Sequence, residues 1–307
     1  AITEGLVGSE MCIRDRTQSN LMMKAARHLA TLICVLAVAL SAEAQTQTVL
    51  DGAYVKETNL TKRVIPYPSL READVMYVRR IWQDIDLRQK INQMFYFPVD
   101  PIEDRKNLFD VIRYALEVEG SLTAYGTGPA GDDDEFRYPY TGAQMDSVLN
   151  PIVIIPQFDP VTGEVIGSME AETSISSQDI VRYRVKEDWV WDRQRSQRQV
   201  RIIGIAPIIE KKDDEGNSQG LAPLFWLYYP ECRYVFANAE CYNYENDAQR
   251  RTFEEIFQKR YFSSYIVKET NVFDRSIADY AQGLDALLES ERIKDELFTI
   301  EHDLWHY

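Results

Sequence analysis

Chemistry in this chain would have to come from carboxylates, because little else is on offer. Of its 307 residues 49 are acidic and 34 basic, but only three are histidine. His302 and His306 stand four apart in "EHDLWH", a spacing that puts two imidazoles on one helix face, as metal ligation requires. The internal glutamate of a zincin helix is missing, so the stretch reads as a polar helix terminus. Two acidic runs, "GDDDEF" (Asp132–Glu135) and "DDEGN" (Asp213–Asn217), carry the hard oxygens that calcium prefers. Neither follows EF-hand spacing, and both read as solvated charge. No G-x-S-x-G occurs, and the glycine-rich "YGTGPAG" lacks the GK[ST] of a phosphate cradle. Carboxylate pairs suited to glycoside hydrolysis can be drawn from so many acids, which keeps an exported, glycan-directed hydrolase as the alternative function. A calcium-stabilised adhesion module is a third. No residue is assigned a catalytic, cofactor-binding or metal-binding role.

Aromatic residues set among charges stand out instead. In "KEDWVWDRQR", Trp189 and Trp191 are two apart, hence on one face of a strand. "LREADVMYVRRIWQDIDLRQKIN", residues 70–92, adds Arg79, Arg80 and Trp82 to a broad apolar arc. Aromatics and arginine are the types that buried interface centres favour. Arg79, Arg80, Trp82, Trp189 and Trp191 are therefore the candidate partner contacts. For most of the rings the plainer reading is core.

The elements that must position them follow from periodicity. At 100° per residue, Glu72, Arg79, Gln83 and Asp86 share a narrow polar face, and Arg80 and Asp84 stand at i, i+4, so 70–92 is predicted helical. A second helix is expected in "RKNLFDVIRYALEVEG", with Leu108, Ile112, Ala115 and Leu116 on one side and Gly120 ending it. "SLTAYG" reads as a strand. Between Asp179 and Pro230 apolar and charged residues alternate, with Ile180, Tyr183, Val185, Val190, Val200, Ile202, Ile205 and Ile208 strand-like. There "KKDDEGNSQG" serves as a hairpin loop before a last strand at 224–228. "NDAQRRTFEEIFQKRYF" is expected to be a helix capped by Asn246, with Phe253, Ile256 and Phe257 on one side. A further helix places Ile277, Tyr280, Ala281, Leu284, Leu287 and Leu288 together and continues through Leu297 and Phe298. The class is α+β: N-terminal helices, a central antiparallel sheet, C-terminal helices.

Residues 22–44 have Lys24 and Arg27, the apolar run "LATLICVLAVAL" and a small-x-small site ending at Ala44, the form of a secretory signal. The run is too short to span a bilayer, and Cys34 within it lacks lipoprotein flanks. Residues 1–21 resemble a translated library adaptor, which leaves 45–307 as a single domain. That remainder keeps the net charge of −15, since residues 1–44 carry equal numbers of acids and bases. Such a surface repels nucleic acid and anionic lipid. An oxidising compartment would permit a bridge between Cys232 and Cys241, although a helical "PECRYVFANAE" would hold them too far apart.

Long phrases, "VIPYPSLREADVMYVRRIWQDIDLRQKINQMFYFP", "YRVKEDWVWDRQRS", "LFWLYYPE", "NDAQRRTFEEIFQKRYFSSYIVKETNVFDRSI" and "GLDALLESERIKDELFTIEHDLWHY", resemble the GldN/PorN family, with likeness from about Leu50 to Tyr307. The resemblance implies a Bacteroidota periplasmic protein of type IX protein secretion and, in gliding species, of gliding motility. It implies self-association in a ring with the GldK/PorK lipoprotein at the inner face of the outer membrane, coupled to the GldL/GldM (PorL/PorM) motor. It brings no catalytic residues and no cofactor.

Overall fold

The computed structural model describes residues 62–303, except 103–104, 130, 132, 159–164, 213–217, 244–245 and 247. The leader, the signal-like segment, the "DDEGN" loop and His306 lie outside the described residues.

The stretch 70–92 is not a helix. After one short turn it forms strand β1, Val75–Asp86. Its Val, Tyr, Ile and Trp content favours a pleated surface. From Ile81 to Ile85 both faces of the strand are covered by protein, so apolar residues occupy odd and even positions alike and the period of two is hidden, whereas Met76 and Val78 before them are exposed. Arg80 and Asp84 do not pair with each other: each has its partner on the neighbouring strand.

A turn at Lys90–Phe95 leads to α1, Leu108–Tyr114, which runs into a wider turn, Ala115–Glu119. Asn107 caps α1, its Oδ1 accepting from the Asp110 amide at 2.7 Å. Gly120, at φ 60°, ends the stretch in the left-handed conformation that favours glycine. Strands β2, Ala124–Gly126, and β3, Tyr138–Pro139, precede α2, Gly142–Leu149. A two-stranded ribbon follows, β4 (Ile152–Phe158) with β5 (Val165–Glu172). Then come the long strands β6, Ile180–Asp192, and β7, Gln197–Lys212. Beyond them, β8 (Ser218–Pro223) already includes the end of the expected loop, and β9 is Trp226–Tyr228. Helix α3 is Tyr229–Asn238, β10 is Glu240–Cys241 and β11 is Arg251–Thr252. Helix α4, Phe253–Lys259, is capped by Thr252, whose hydroxyl accepts from the Glu255 amide, and not by Asn246. Asn246 instead accepts from the Ala248 amide in a turn. Strand β12 is Tyr265–Glu269 and α5 is Leu284–Asp303. Ile277 lies in a separate short turn, Ile277–Asp279.

Eight strands form one antiparallel sheet in the order β12-β1-β6-β7-β9-β2-β3, with β8 also against β7. The α+β class and the central antiparallel sheet hold. One sheet face carries two cores. Ile85, Tyr183, Val185 and Ile205 pack under α1, α3 and α4, whereas Ile81, Trp189, Trp191 and Ile266 pack under Ile293 and Leu297 of α5. Between them, at the intervening positions of β1 and β6, Gln83 and Glu187 are buried as a polar seam. The other face buries Trp82, Ala206 and Trp226 under Phe136. Gly204 is what admits that ring, since a Cβ there would lie 2.7 Å from Phe136 Cζ.

Cys232 on α3 and Cys241 on β10 are separate buried thiols. Burial pushes Cys241 up to about 12 and Cys232 well up too, so neither is a ready nucleophile. Among the described residues no helix is long and apolar enough to cross a membrane.

Candidate functional site

Three surfaces hold the chemistry-bearing side chains. The first is a ladder across β1 and β6 on the Trp82 face. The register sets Arg80 against Asp188, Trp82 against Lys186, Asp84 against Arg184 and Asp86 against Arg182. Arg80 grips Asp188 with two bonds of 2.6 and 2.9 Å. Arg184 grips Asp84 with two of 2.7 and 3.0 Å. Lys186 lies 5.6 Å above the Trp82 ring. Its ammonium also donates to Asp134 of the "GDDDEF" loop, whose carboxylate accepts from the Trp82 indole as well. That acid is thus an internal partner rather than solvated charge. Burial opposes charge on Arg184, but the Asp84 bonds outweigh it and its pKa is raised.

Beside this ladder a cleft of about 590 Å³ opens. Arg182, Trp82, Tyr265, Trp226 and Lys268 line it, as does the segment around Ile277. Burial, then the charge of Asp84, pushes the Tyr265 phenol up to about 12, so it stays a donor.

The second surface is the seat of α5. Arg79 reaches Glu269 of β12 at 3.0 Å and Glu296 of α5 at 2.9 Å. Arg198 holds Glu301 at 2.7 Å and stacks 4.8 Å from the Trp189 ring centre. The hydrogen bond from Arg79 holds the Glu296 carboxyl below its ordinary 4.5. Burial raises that of Glu269, against the pull of Arg79. The signs therefore differ. Glu296 contributes stability above pH 4.5 that is lost as pH falls through its lowered value, while Glu269 relieves a cost as it takes a proton first. An Arg79→Met variant should show a smaller fall in urea midpoint below pH 4.5 than the wild type. Equal slopes in the two proteins would show that Arg79 does not hold Glu296.

The five candidate contacts are divided between these surfaces. Arg80 and Trp82 belong to the ladder face, and Arg79, Trp189 and Trp191 to the opposite one. All three tryptophans are buried within the chain. The arginines keep partial exposure, but each is already ion-paired. Sequence reading passed over Arg182 and Arg184, and took Lys186 and Asp188 only as charges flanking the tryptophans. The signal for all four is the charge order of "VRYRVKED", which complements that of "RRIWQDID" when the two run antiparallel.

The third surface is an exposed apolar corner. Leu284, Leu287 and Leu288 on α5 are 70, 54 and 60 % exposed, and Val272 and Phe273 after β12 are 96 and 72 % exposed. The part of the expected packing stripe at Leu284, Leu287 and Leu288 therefore faces outward, while Ile277 and Leu297 of the same stripe are buried. Arg275 joins the two parts, lying 4.5 Å from the Phe273 ring centre and 5.9 Å from that of Tyr280. Tyr280 in turn donates to Glu289 of α5. Clustered apolar exposure of this kind marks interaction sites. Elsewhere on α5, His302 is exposed beside Asp303. Among the described residues no group of three or more His, Cys, Asp and Glu is placed to hold a metal ion.

A family model described as "Gliding motility associated protein GldN" matches residues 70–306. That span contains every element above. No curated protein matches the sequence.

Proposed function

The chain belongs to the GldN family of gliding motility associated proteins, and from there we propose that it is a non-catalytic, periplasmic subunit of the type IX protein secretion machinery. In this reading it associates with further copies of itself and with a GldK/PorK-type lipoprotein in a ring at the inner face of the outer membrane. The ring couples to the GldL/GldM (PorL/PorM) motor. The observation that carries an adhesive role is the corner at Leu284, Leu287, Leu288 and Phe273, apolar surface left outside a chain that has two cores of its own. The secretory form of residues 22–44 supports export. A glycan hydrolase would need two carboxylates free to face a substrate. In the cleft, Asp84 and Asp134 are instead bound to Arg184 and Lys186, Asp274 is paired to Lys268, and Asp279 accepts from the Ser276 amide.

Co-expression with the candidate lipoprotein, pull-down and electron microscopy test the proposal. A stable assembly is expected, and Leu284→Lys with Leu288→Lys should weaken capture about tenfold or more, as for central interface anchors. Both positions are exposed, so folding is retained. Two folded proteins that do not assemble would overturn the reading. Turnover of a glycan by the purified chain, lost with one carboxylate, would replace it.

A further inference from the structure

We infer that the cleft beside the β1–β6 ladder receives a carboxylate, gripped by the guanidinium of Arg182, with Trp82, Trp226 and Tyr265 around the group that carries it. The inference stands on geometry independent of family membership.

The ladder has one open rung. Arg80 and Arg184 each hold a carboxylate with paired bonds of 3.0 Å or less. Among the described residues the ion pairs of Arg182 are both long, 3.7 Å to Asp86 and 4.0 Å to Asp84. Asp84 is already gripped by Arg184, and of Asp86 one oxygen accepts from the Arg88 amide while the other stays 3.7 Å from Arg182. The Nε of Arg182 is buried and has no hydrogen-bond partner. A buried donor without an acceptor costs desolvation that an incoming acceptor removes. A planar, two-oxygen anion matches the guanidinium fork. Arg182 lies 5.6 Å from the Tyr265 ring centre, and the Tyr265 phenol, which also lines the cleft, can donate a further bond.

The surroundings choose among anions. Asp84 and Asp134 are each balanced by a cation, Lys268 is paired to Asp274 at 2.7 Å, and the Asp279 carboxylate is held by the Ser276 amide. The most loosely paired guanidinium of the ladder, in a chain of net charge −15, suits a single negative charge and not a dianion. The aromatic walls and a volume of about 590 Å³ leave room for an apolar body behind the carboxylate. Such a group could be a free organic acid or an acidic residue of another polypeptide.

The test follows the arginine Nε–H signals of the full chain by 15N NMR as 3-phenylpropionate is added. The Arg182 signal should shift saturably, and the neutral 3-phenylpropionamide should bind about tenfold more weakly or less, as expected for loss of one charge-assisted pair. Tryptophan fluorescence should report a similar loss in Arg182→Gln and Arg182→Lys, since lysine keeps the charge without the fork. Arg88→Gln, at an exposed site, should bind as the wild type does. Tighter binding of a capped Glu-Phe peptide than of 3-phenylpropionate assigns the site to protein-borne carboxylates, and the reverse assigns it to small acids. Equal binding of acid and amide, preference for inorganic phosphate, or an unmoved Arg182 signal overturns the inference. The wild-type signal decides the matter even if a variant fails to fold.

Discussion

Replacing Phe257 by alanine is expected to lower folding stability by about 4 kcal/mol, seen as a lower urea midpoint with unchanged slope. Phe257 is buried at the join of several elements. Its ring centre lies 5.3 Å from Phe95 in the turn after β1, and 5.6 and 5.8 Å from Tyr229 and Phe236 on α3. Phe262, just past α4, is another 5.8 Å neighbour. Removing the ring forfeits its transfer energy and leaves a cavity, together about 3–5 kcal/mol for Phe→Ala. The upper half of that range applies because the neighbours are rigid rings that cannot collapse into the gap. Each ring pair also adds about 0.5–1.5 kcal/mol beyond area. Phe298→Ala is the control: that side chain is 65 % exposed on α5, and its loss should stay within about 0.5 kcal/mol. A cost below about 1.5 kcal/mol for Phe257→Ala would mean that this aromatic cluster can repack.

Which parts of the molecule could be read in advance depended on whether one face of an element meets water. Helix α4 was legible because Phe253, Ile256 and Phe257 make a single inward stripe. Its start was not, because both Asn246 and Thr252 are good caps. Thr252 wins as the residue directly before the apolar run. Strand β1 was misread for the opposite reason: both its faces are covered from Ile81 to Ile85 and Met76 and Val78 are exposed, so its sequence lacks simple alternation, and a helical wheel accommodates it by chance. On α5 there are two apolar stripes on opposite sides. Ile293 and Leu297 turn inward and Leu284 and Leu288 outward, a choice that periodicity cannot make. The ribbon β4–β5 was not singled out, since "IVIIPQF" shows no period of two and contains Pro156. Trp189 and Trp191 were rightly placed on one face. The cleft was invisible because it joins Arg182 to Tyr265, residues remote in sequence that meet only when β6 and β12 flank β1.

Arg260→Met should cost about 3 kcal/mol, and more than Glu187→Gln at the other end of the same ion pair. Glu187 is 0 % exposed. Its Oε1 accepts from Arg260 Nη1 at 2.7 Å, and its Oε2 from the Trp189 indole at 2.9 Å and from Gln83 at 3.4 Å. Taking the guanidinium away leaves a buried charge with two neutral donors, a change that costs about 3–5 kcal/mol in general. The lower end applies because a space of about 340 Å³ lined by Gln83, Trp189 and Arg260 adjoins the guanidinium, so that its removal opens a way for water toward the carboxylate. In Glu187→Gln the cation left behind is one-third exposed and can turn to solvent, so about 1 kcal/mol is expected. The Glu187→Gln/Arg260→Met double variant should then be more stable than Arg260→Met alone, with a coupling of about 2 kcal/mol. Simple additivity would show that Glu187 does not depend on Arg260. Because this pair lies between the two cores, the same variants reveal whether they unfold together. A single transition in the wild type that splits in Arg260→Met would make the seam the element that couples α5, with its exposed apolar corner, to the rest of the chain.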